Sequence, residues 1–83
     1  MFDEEIEQAR EREADRLYQN LDHDVFFVST LHEAIPILGS MQDPSTSKVF
    51  EKINRISRED VHNWKKNACN QALMGIDKYH QKR

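Results

Sequence analysis

Residues 58–81 read Arg58-Glu59-Asp60-Val61-His62-Asn63-Trp64-Lys65-Lys66-Asn67-Ala68-Cys69-Asn70-Gln71-Ala72-Leu73-Met74-Gly75-Ile76-Asp77-Lys78-Tyr79-His80-Gln81. Val61, Trp64, Ala68, Ala72, Ile76 and Tyr79 recur every three or four positions, which lines them along one face of a helix. At ~1.5 Å per residue that helix is about 36 Å long. Glu59 and Asp60 at its start, and Lys78, His80, Lys82 and Arg83 at its end, suit the helix dipole. Leu73 and Met74 widen the apolar stripe. Gly75 costs about 1 kcal/mol against Ala and marks a close approach by another helix. An apolar edge this long calls for a second helix to cover it.

The rest of the chain fits a helical bundle. Of its 83 residues only two are Gly and two Pro, too few turn formers for a many-stranded β fold. Residues 2–21 form a second long helix, with Phe2, Ile6, Ala9, Leu17 and Leu21 near one stripe and Ala14 and Tyr18 beside it. Asp3, Glu4, Glu5 and Glu7 open it. Residues 22–30 admit a helix or a strand. Val25-Phe26-Phe27-Val28 has strand propensity, but no second strand exists to pair with it, which favours helix. Thr30 and Glu33 have capping-box spacing, so a helix is expected to begin at Thr30. Pro36 is expected to kink or break it, and Gly39 to end it in a left-handed conformation. Residues 42–47 form a loop, a short helix covers 46–54, and Arg55-Ile56-Ser57 is read as a tight joint with Ser57 as N-cap. The fold class is therefore all-α: a single domain of three to five helices over 1–83, dominated by an acidic N-terminal and a basic C-terminal helix.

Charge divides along the chain. Residues 1–47 hold eleven Asp/Glu and three Arg, a net of −8; residues 48–83 hold nine Lys/Arg and four Asp/Glu, a net of +5. The whole-chain value of −3 conceals this asymmetry. It implies contact with a charged partner or contact between the halves. The acidic helix 2–21 is long enough to pack antiparallel on the basic helix 58–81, within one chain or between two chains of a symmetric dimer. Apolar residues make up 37% of the chain, below the usual ~45–50%, and a small domain buries a thin core, so association with a second subunit is a natural supplement.

Composition narrows the function classes. The single cysteine, Cys69, cannot form an internal disulfide, and its mid-helix position gives it no activating cation. The acidic N-terminus is unlike a signal peptide, and the longest apolar runs are four residues, so a soluble cytoplasmic protein with no membrane contact is expected. Asp22-His23-Asp24, His32-Glu33, His62 and His80 offer ligand-type side chains without metal-binding spacing, so no metal site and no cofactor are expected. No glycine-rich phosphate loop and no nucleophile–base pair occurs, which points to a non-enzyme. Trp64 and Tyr79 are residue types enriched at interface hot spots, and with Glu4, Glu5 and Glu7 they are the candidate contacts for a protein partner.

One segment carries a resemblance. Ile56-Ser57-Arg58, Val61, Trp64 and Lys66 resemble the ISRxxVxxWxK recognition segment of helix-turn-helix DNA-binding domains, over about 20 residues. The resemblance implies that Ile56, Val61 and Trp64 pack inward, while Arg58, Glu59, Asn63 and Lys66 face the major groove or the phosphates; Arg58, Asn63, Lys65 and Lys66 are the DNA-binding candidates. The segment departs from the pattern at Glu51, where a small residue is usual, and at Arg55, where the turn usually has Gly. The acidic first half also opposes phosphate. The favoured expectation is a non-catalytic helical binding protein that self-associates and modulates a larger protein, in the style of phage or mobile-element accessory and inhibitor proteins. DNA-binding regulation through residues 46–66 is the alternative.

Overall fold

Glu4, Glu5 and Glu7 open helix α1 (Glu4–Asn20), where their carboxylates complement the unpaired N–H groups of the first turn. The computed structural model describes residues 4–82, so Phe2, Asp3 and Arg83 of the expected helices lie outside the described residues. Three further α-helices follow: α2 (Asp24–Gly39), α3 (Lys48–Glu59) and α4 (Asn63–Gln81). A 3-10 turn, Pro44–Thr46, occupies the loop between α2 and α3. The molecule is an all-α bundle of four helices.

The ambiguous stretch 22–30 is a turn at Asp22-His23 and helical from Asp24 onward. Its boundary is His23, seven residues before the expected capping box, and Thr30 lies buried inside α2. The apolar face explains why: Phe27, Leu31, Ala34 and Leu38 continue one stripe straight through Thr30, and burying that stripe outweighs a cap. Pro36 does not break the helix. It sits in the last turn, where few bonds remain to lose, and the Ser40 hydroxyl and N–H both donate to its carbonyl. Gly39 is not left-handed; among the described residues no glycine has positive φ. Its role is steric. A Cβ at Gly39 would lie 2.7–2.9 Å from the Cδ1, Cβ and Cγ atoms of Tyr79, so only hydrogen fits between the helices there.

The joint expected at 55–57 is also displaced. Helix α3 runs through Arg55-Ile56-Ser57 to Glu59, and the turn is Asp60-Val61-His62. The real N-cap of α3 is Ser47, whose hydroxyl accepts from Val49 N–H at 3.2 Å. Asp60 makes the turn by accepting from His62 N–H at 2.8 Å. Helix α4 then runs unbroken past Gly75, where an added Cβ would meet Ile35 Cδ1 at 3.1 Å.

Contacts fix the arrangement. Ile35 faces Gly75 and Gly39 faces Tyr79, a constant offset of 40 residues, and Asp24 reaches Lys65 near their starts. Helices α2 and α4 are therefore parallel. Helix α1 runs antiparallel to α2: Arg10 Nη1 donates to Ser40 O at 3.0 Å and Gln42 N–H donates to Glu7 Oε1 at 2.9 Å, beside the far end of α2. Lys48 near Asp15 and Lys52 near Tyr18 and Asp22 make α3 parallel to α1. Around the bundle the order is α1, α2, α4, α3. The expected antiparallel pairing of acidic α1 on basic α4 does not hold within the chain: α2 and α3 cover the edge of α4, because α2 is the most apolar helix and offers the better cover.

The core contains Ala14, Leu17, Leu21, Phe27, Leu31, Ala34, Leu38, Met41, Val49, Ile53, Cys69, Ala72 and Ile76. Fully burying one of the larger of these contributes about 1.5–3 kcal/mol. Lys52 is the exception to an apolar interior. Only 6% exposed, it donates from Nζ to Tyr18 O at 3.0 Å and Asp22 Oδ1 at 2.8 Å, over the Tyr18 ring at 4.2 Å. It satisfies a carbonyl in the last turn of α1 and ties α3 to that end. Among the described residues the ion pairs Asp15–Lys48, Asp22–Lys52 and Asp24–Lys65 join the two halves of the chain. Part of the charge asymmetry is thus used inside the molecule.

Candidate functional site

The parallel seam between α2 and α4 begins with ordinary helix chemistry and ends in an apolar surface. The inner stripe of α2 fills the core; Val28, one position past Phe27, lines the outside of the seam, whereas Val25, two positions before Phe27, lies on the solvent side of α2. On α4 the core stripe is Cys69, Ala72 and Ile76, which leaves Trp64 at the near end of the same seam, while Val61 lies in the turn before α4. Val25 is 86% exposed, Val28 48%, Val61 89% and Trp64 46%. Below them the seam opens into a groove of about 210 Å³, lined by Val28, Leu31, His32, Ile35, Ala68, Gln71 and Ala72. Small residues on α4 make this hollow: Ala68 and Ala72 cannot fill the space between the helices.

Trp64 is held as well as displayed. Its ring meets Phe27 edge to face, 5.4 Å between centroids, and Phe27 is fully buried. Lys65 bridges beside it, with Nζ 2.6 Å from Asp24 Oδ1 and over both the Phe27 and Trp64 rings at 5.5 and 5.6 Å. The Asp24 carboxylate, by hydrogen bond and charge, raises the Lys65 pKa above its ordinary value. The N–H of His62 holds the Asp60 carboxyl below the usual range. The indole therefore sits on a fixed base at the edge of the groove.

The candidate residues are not brought together as one group. Trp64 and Tyr79 lie on the same helix, fifteen positions and about 22 Å apart. Tyr79 closes the far end of the seam against Gly39. Glu7 lies near that far end, committed to Gln42 N–H and Arg10. Glu4 and Glu5 are exposed on the first turn of α1. Among the DNA-facing candidates, Arg58 belongs to the last turn of α3 and donates to Asn54 O, while Asn63, Lys65 and Lys66 open α4. Lys65 is engaged by Asp24, and Val61, expected to pack inward, is turned to solvent because the joint lies at 60–62. Sequence reasoning missed Val25, Val28 and His32. The sequence holds only a partial signal: these positions fall off the Phe27–Leu31–Ala34–Leu38 stripe and none is Asp, Glu, Lys or Arg, in a chain that is 33% charged.

A second hollow of about 220 Å³ lies between the loop, α3 and α4, lined by Asp43, Pro44, Ser45, Phe50, Leu73, Ile76, Asp77 and His80. Asp43 there serves the loop, accepting from the Ser45 N–H and hydroxyl. His80 Nδ1 is 3.3 Å from Gly39 O, and Asp77 accepts from Gln81. Among the described residues no group of three or more His, Cys, Asp or Glu side chains is placed to hold a metal ion. None of the described helices is long and apolar enough to cross a membrane. Cys69 is buried, and desolvation pushes its thiol up to about 11. The fold suits a protein-contact module.

No protein-family model matches the chain, and neither a curated protein nor a solved structure shows significant similarity to it.

Proposed function

We propose that this protein is a non-catalytic binding module that associates with a larger protein and modulates it, with the α2–α4 surface as its contact face. One observation carries the reading: Val28 and Trp64, each about half exposed, stand along a seam whose groove is lined mostly by apolar side chains. Uncharged patches with an anchored aromatic residue are the pattern of interface centres. Tyr79 extends the contact at the far end, and Glu4 and Glu5 supply charge at the rim. Phage or mobile-element origin and an inhibitory role rest on small size and an acidic, motif-poor sequence, an argument by analogy alone.

The test is site-specific photo-cross-linking in a nuclease-treated lysate of the native host. A photoreactive residue at Val28 is expected to give a discrete protein adduct, and the same residue at Glu11 on α1 to give none. Absence of any adduct at Val28, or equal labelling at both positions, refutes the reading. Nuclease treatment makes the result independent of DNA.

A further inference from the structure

We infer that residues 4–13 of α1 are a strap that opens on its own while the rest of the bundle stays folded, and that its docking fixes the last turn of α2. The inference is independent of the reading of the α2–α4 face. Helix α1 changes character at Ala14. Ala14 and Leu17 are wholly buried, Leu21 beyond them is nearly so, and Tyr18 packs on the same core. Between residues 4 and 13 no side chain is buried, and the two apolar ones, Ile6 and Ala9, are exposed. Burial of apolar surface is the main stabilising force of a fold, and this half of the helix supplies little of it. A helical segment of that length is also marginal by itself in water.

The groups that dock the strap are polar. Glu7 and Arg10, its two half-buried positions, face the C-terminal end of α2. Gln42 N–H donates to Glu7 Oε1 at 2.9 Å, and Arg10 Nη1 donates to Ser40 O at 3.0 Å. The two side chains are themselves 3.8 Å apart. Arg10 thus sets a positive charge at the C-cap of α2, where the helix dipole is negative. Bonds of this kind, partly open to solvent, replace bonds to water, so their net gain is small.

The end of α2 depends on them. Pro36 brings no N–H to the last turn, which therefore lacks one bond of the helical ladder. Ser40 closes the turn by donating its N–H and hydroxyl to Pro36 O. Other support comes from outside the helix. His80 Nδ1 lies 3.3 Å from Gly39 O, and Tyr79 stands against Gly39. Residues 39–42 are thus held by α4 and by the strap, and Met41, between the two residues that the strap holds, is wholly buried. When the strap leaves, Ser40 O and Gln42 N–H lose their partners together. The opening of residues 4–13 and the loosening of residues 40–42 are one event.

Native-state hydrogen exchange of the full chain, read at single amides by NMR, tests this. In the wild type the amides of residues 8–13 are expected to exchange about tenfold or more faster than those of the buried Leu31, Ala34 and Ala72. Arg10→Ala is expected to speed exchange about tenfold further at residues 8–13 and also at Ser40, Met41 and Gln42, and to leave Leu31, Ala34 and Ala72 unchanged. Glu7→Ala, which removes the acceptor for Gln42 N–H, is expected to act in the same way. Arg12→Ala, at an exposed position on the same helix, is expected to do neither. Residues 8–13 exchanging at the core rate would overturn the separate opening, and so would an Arg10→Ala variant that speeds the core amides equally. Faster exchange at residues 8–13 with residues 40–42 unmoved would leave an ordinary fraying helix end and overturn the hold on α2.

Discussion

Gly39 and Gly75 look alike in sequence and are expected to respond to alanine with opposite sign. Both lie in helices, where Ala is worth up to about 1 kcal/mol over Gly. At Gly75 the new methyl group meets Ile35 Cδ1 at 3.1 Å, the free end of a side chain that yields by a small rotation. The propensity gain survives, and Gly75→Ala should be neutral or stabilising by roughly 0.5–1 kcal/mol. At Gly39 the methyl lies 2.7 Å from Tyr79 Cδ1 and 2.8 Å from Tyr79 Cβ. Comfortable carbon contacts need about 3.5–4.0 Å, so a shift of nearly 1 Å is required. Tyr79 Cβ is fixed to the backbone of α4, so the helices themselves must part. Overpacking of this kind costs about 1–3 kcal/mol, and Gly39 stands at the last helical position, where propensity returns least. The net expectation is a loss of about 1–2 kcal/mol, or roughly 4–16 °C in Tm for a domain of this size. Urea unfolding followed by circular dichroism measures both variants. A double-mutant cycle isolates the cause: in a Tyr79→Ala background, Gly39→Ala should cost little, with a coupling near 1 kcal/mol or more. Equal effects at the two glycines, or an undiminished loss without Tyr79, would refute the steric reasoning.

Three other outcomes are expected. Lys52→Met keeps the buried stem but removes the donor to Tyr18 O and Asp22, costing about 1–3 kcal/mol in the same unfolding assay. Lys52 also holds the Asp22 carboxyl below its ordinary value, so this contribution is complete above the unfolded carboxylate range and is lost as pH falls through the lowered pKa; an acid titration of Lys52→Met should lack that limb, and an identical acid profile would count against the link. Cys69, with a thiol raised to about 11 from 9.0, should react with a thiol reagent near neutral pH only as fast as the fold opens, and its share of stability, full below pH 9, should fall as pH rises through 11; rapid labelling of the native protein would contradict its burial. On random duplex DNA at low salt, micromolar protein should give no gel shift; a shift abolished by Arg58→Ala and Lys66→Ala would restore the regulator reading.

The body of each helix was legible because burial imposes a period. Leu17 on α1, Leu21 just beyond its end, and Ala68, Ala72 and Ile76 on α4 lie where the stripes place them, whereas Ile6 and Ala9 of the expected α1 stripe are exposed and Ala14, expected beside it, is buried. The ends were not legible. Thr30 and Ser57 have the side chains of caps, but a cap is worth about 1 kcal/mol, less than the apolar face that runs through Thr30. Asp60 was the true turn former, and its signal, a carboxylate two residues before an N–H it accepts, is common enough in helices to pass unnoticed. The pairing of helices was out of reach as well. Charge suggested α1 on α4, while the fold chose α2 on α4, where glycine at 39 and 75 allows close approach. The seam carries the candidate surface, so the surface could not be drawn from periodicity alone. Trp64 was recognised by residue type, and Val25 and Val28 emerged only once their neighbours were known.

The constant offset of 40 residues along the α2–α4 seam has a kinetic consequence. The α1–α2 and α3–α4 hairpins close short loops and can assemble early, whereas the seam must first close a loop spanning the whole of α3. It should therefore zip up after the main barrier. Substitutions at Ile35, Gly39 or Gly75 ought to alter how fast the native protein comes apart and leave the refolding limb of a chevron almost unmoved. The same delay leaves the greasy sides of two half-built hairpins briefly open, which is when neighbouring chains could trade halves.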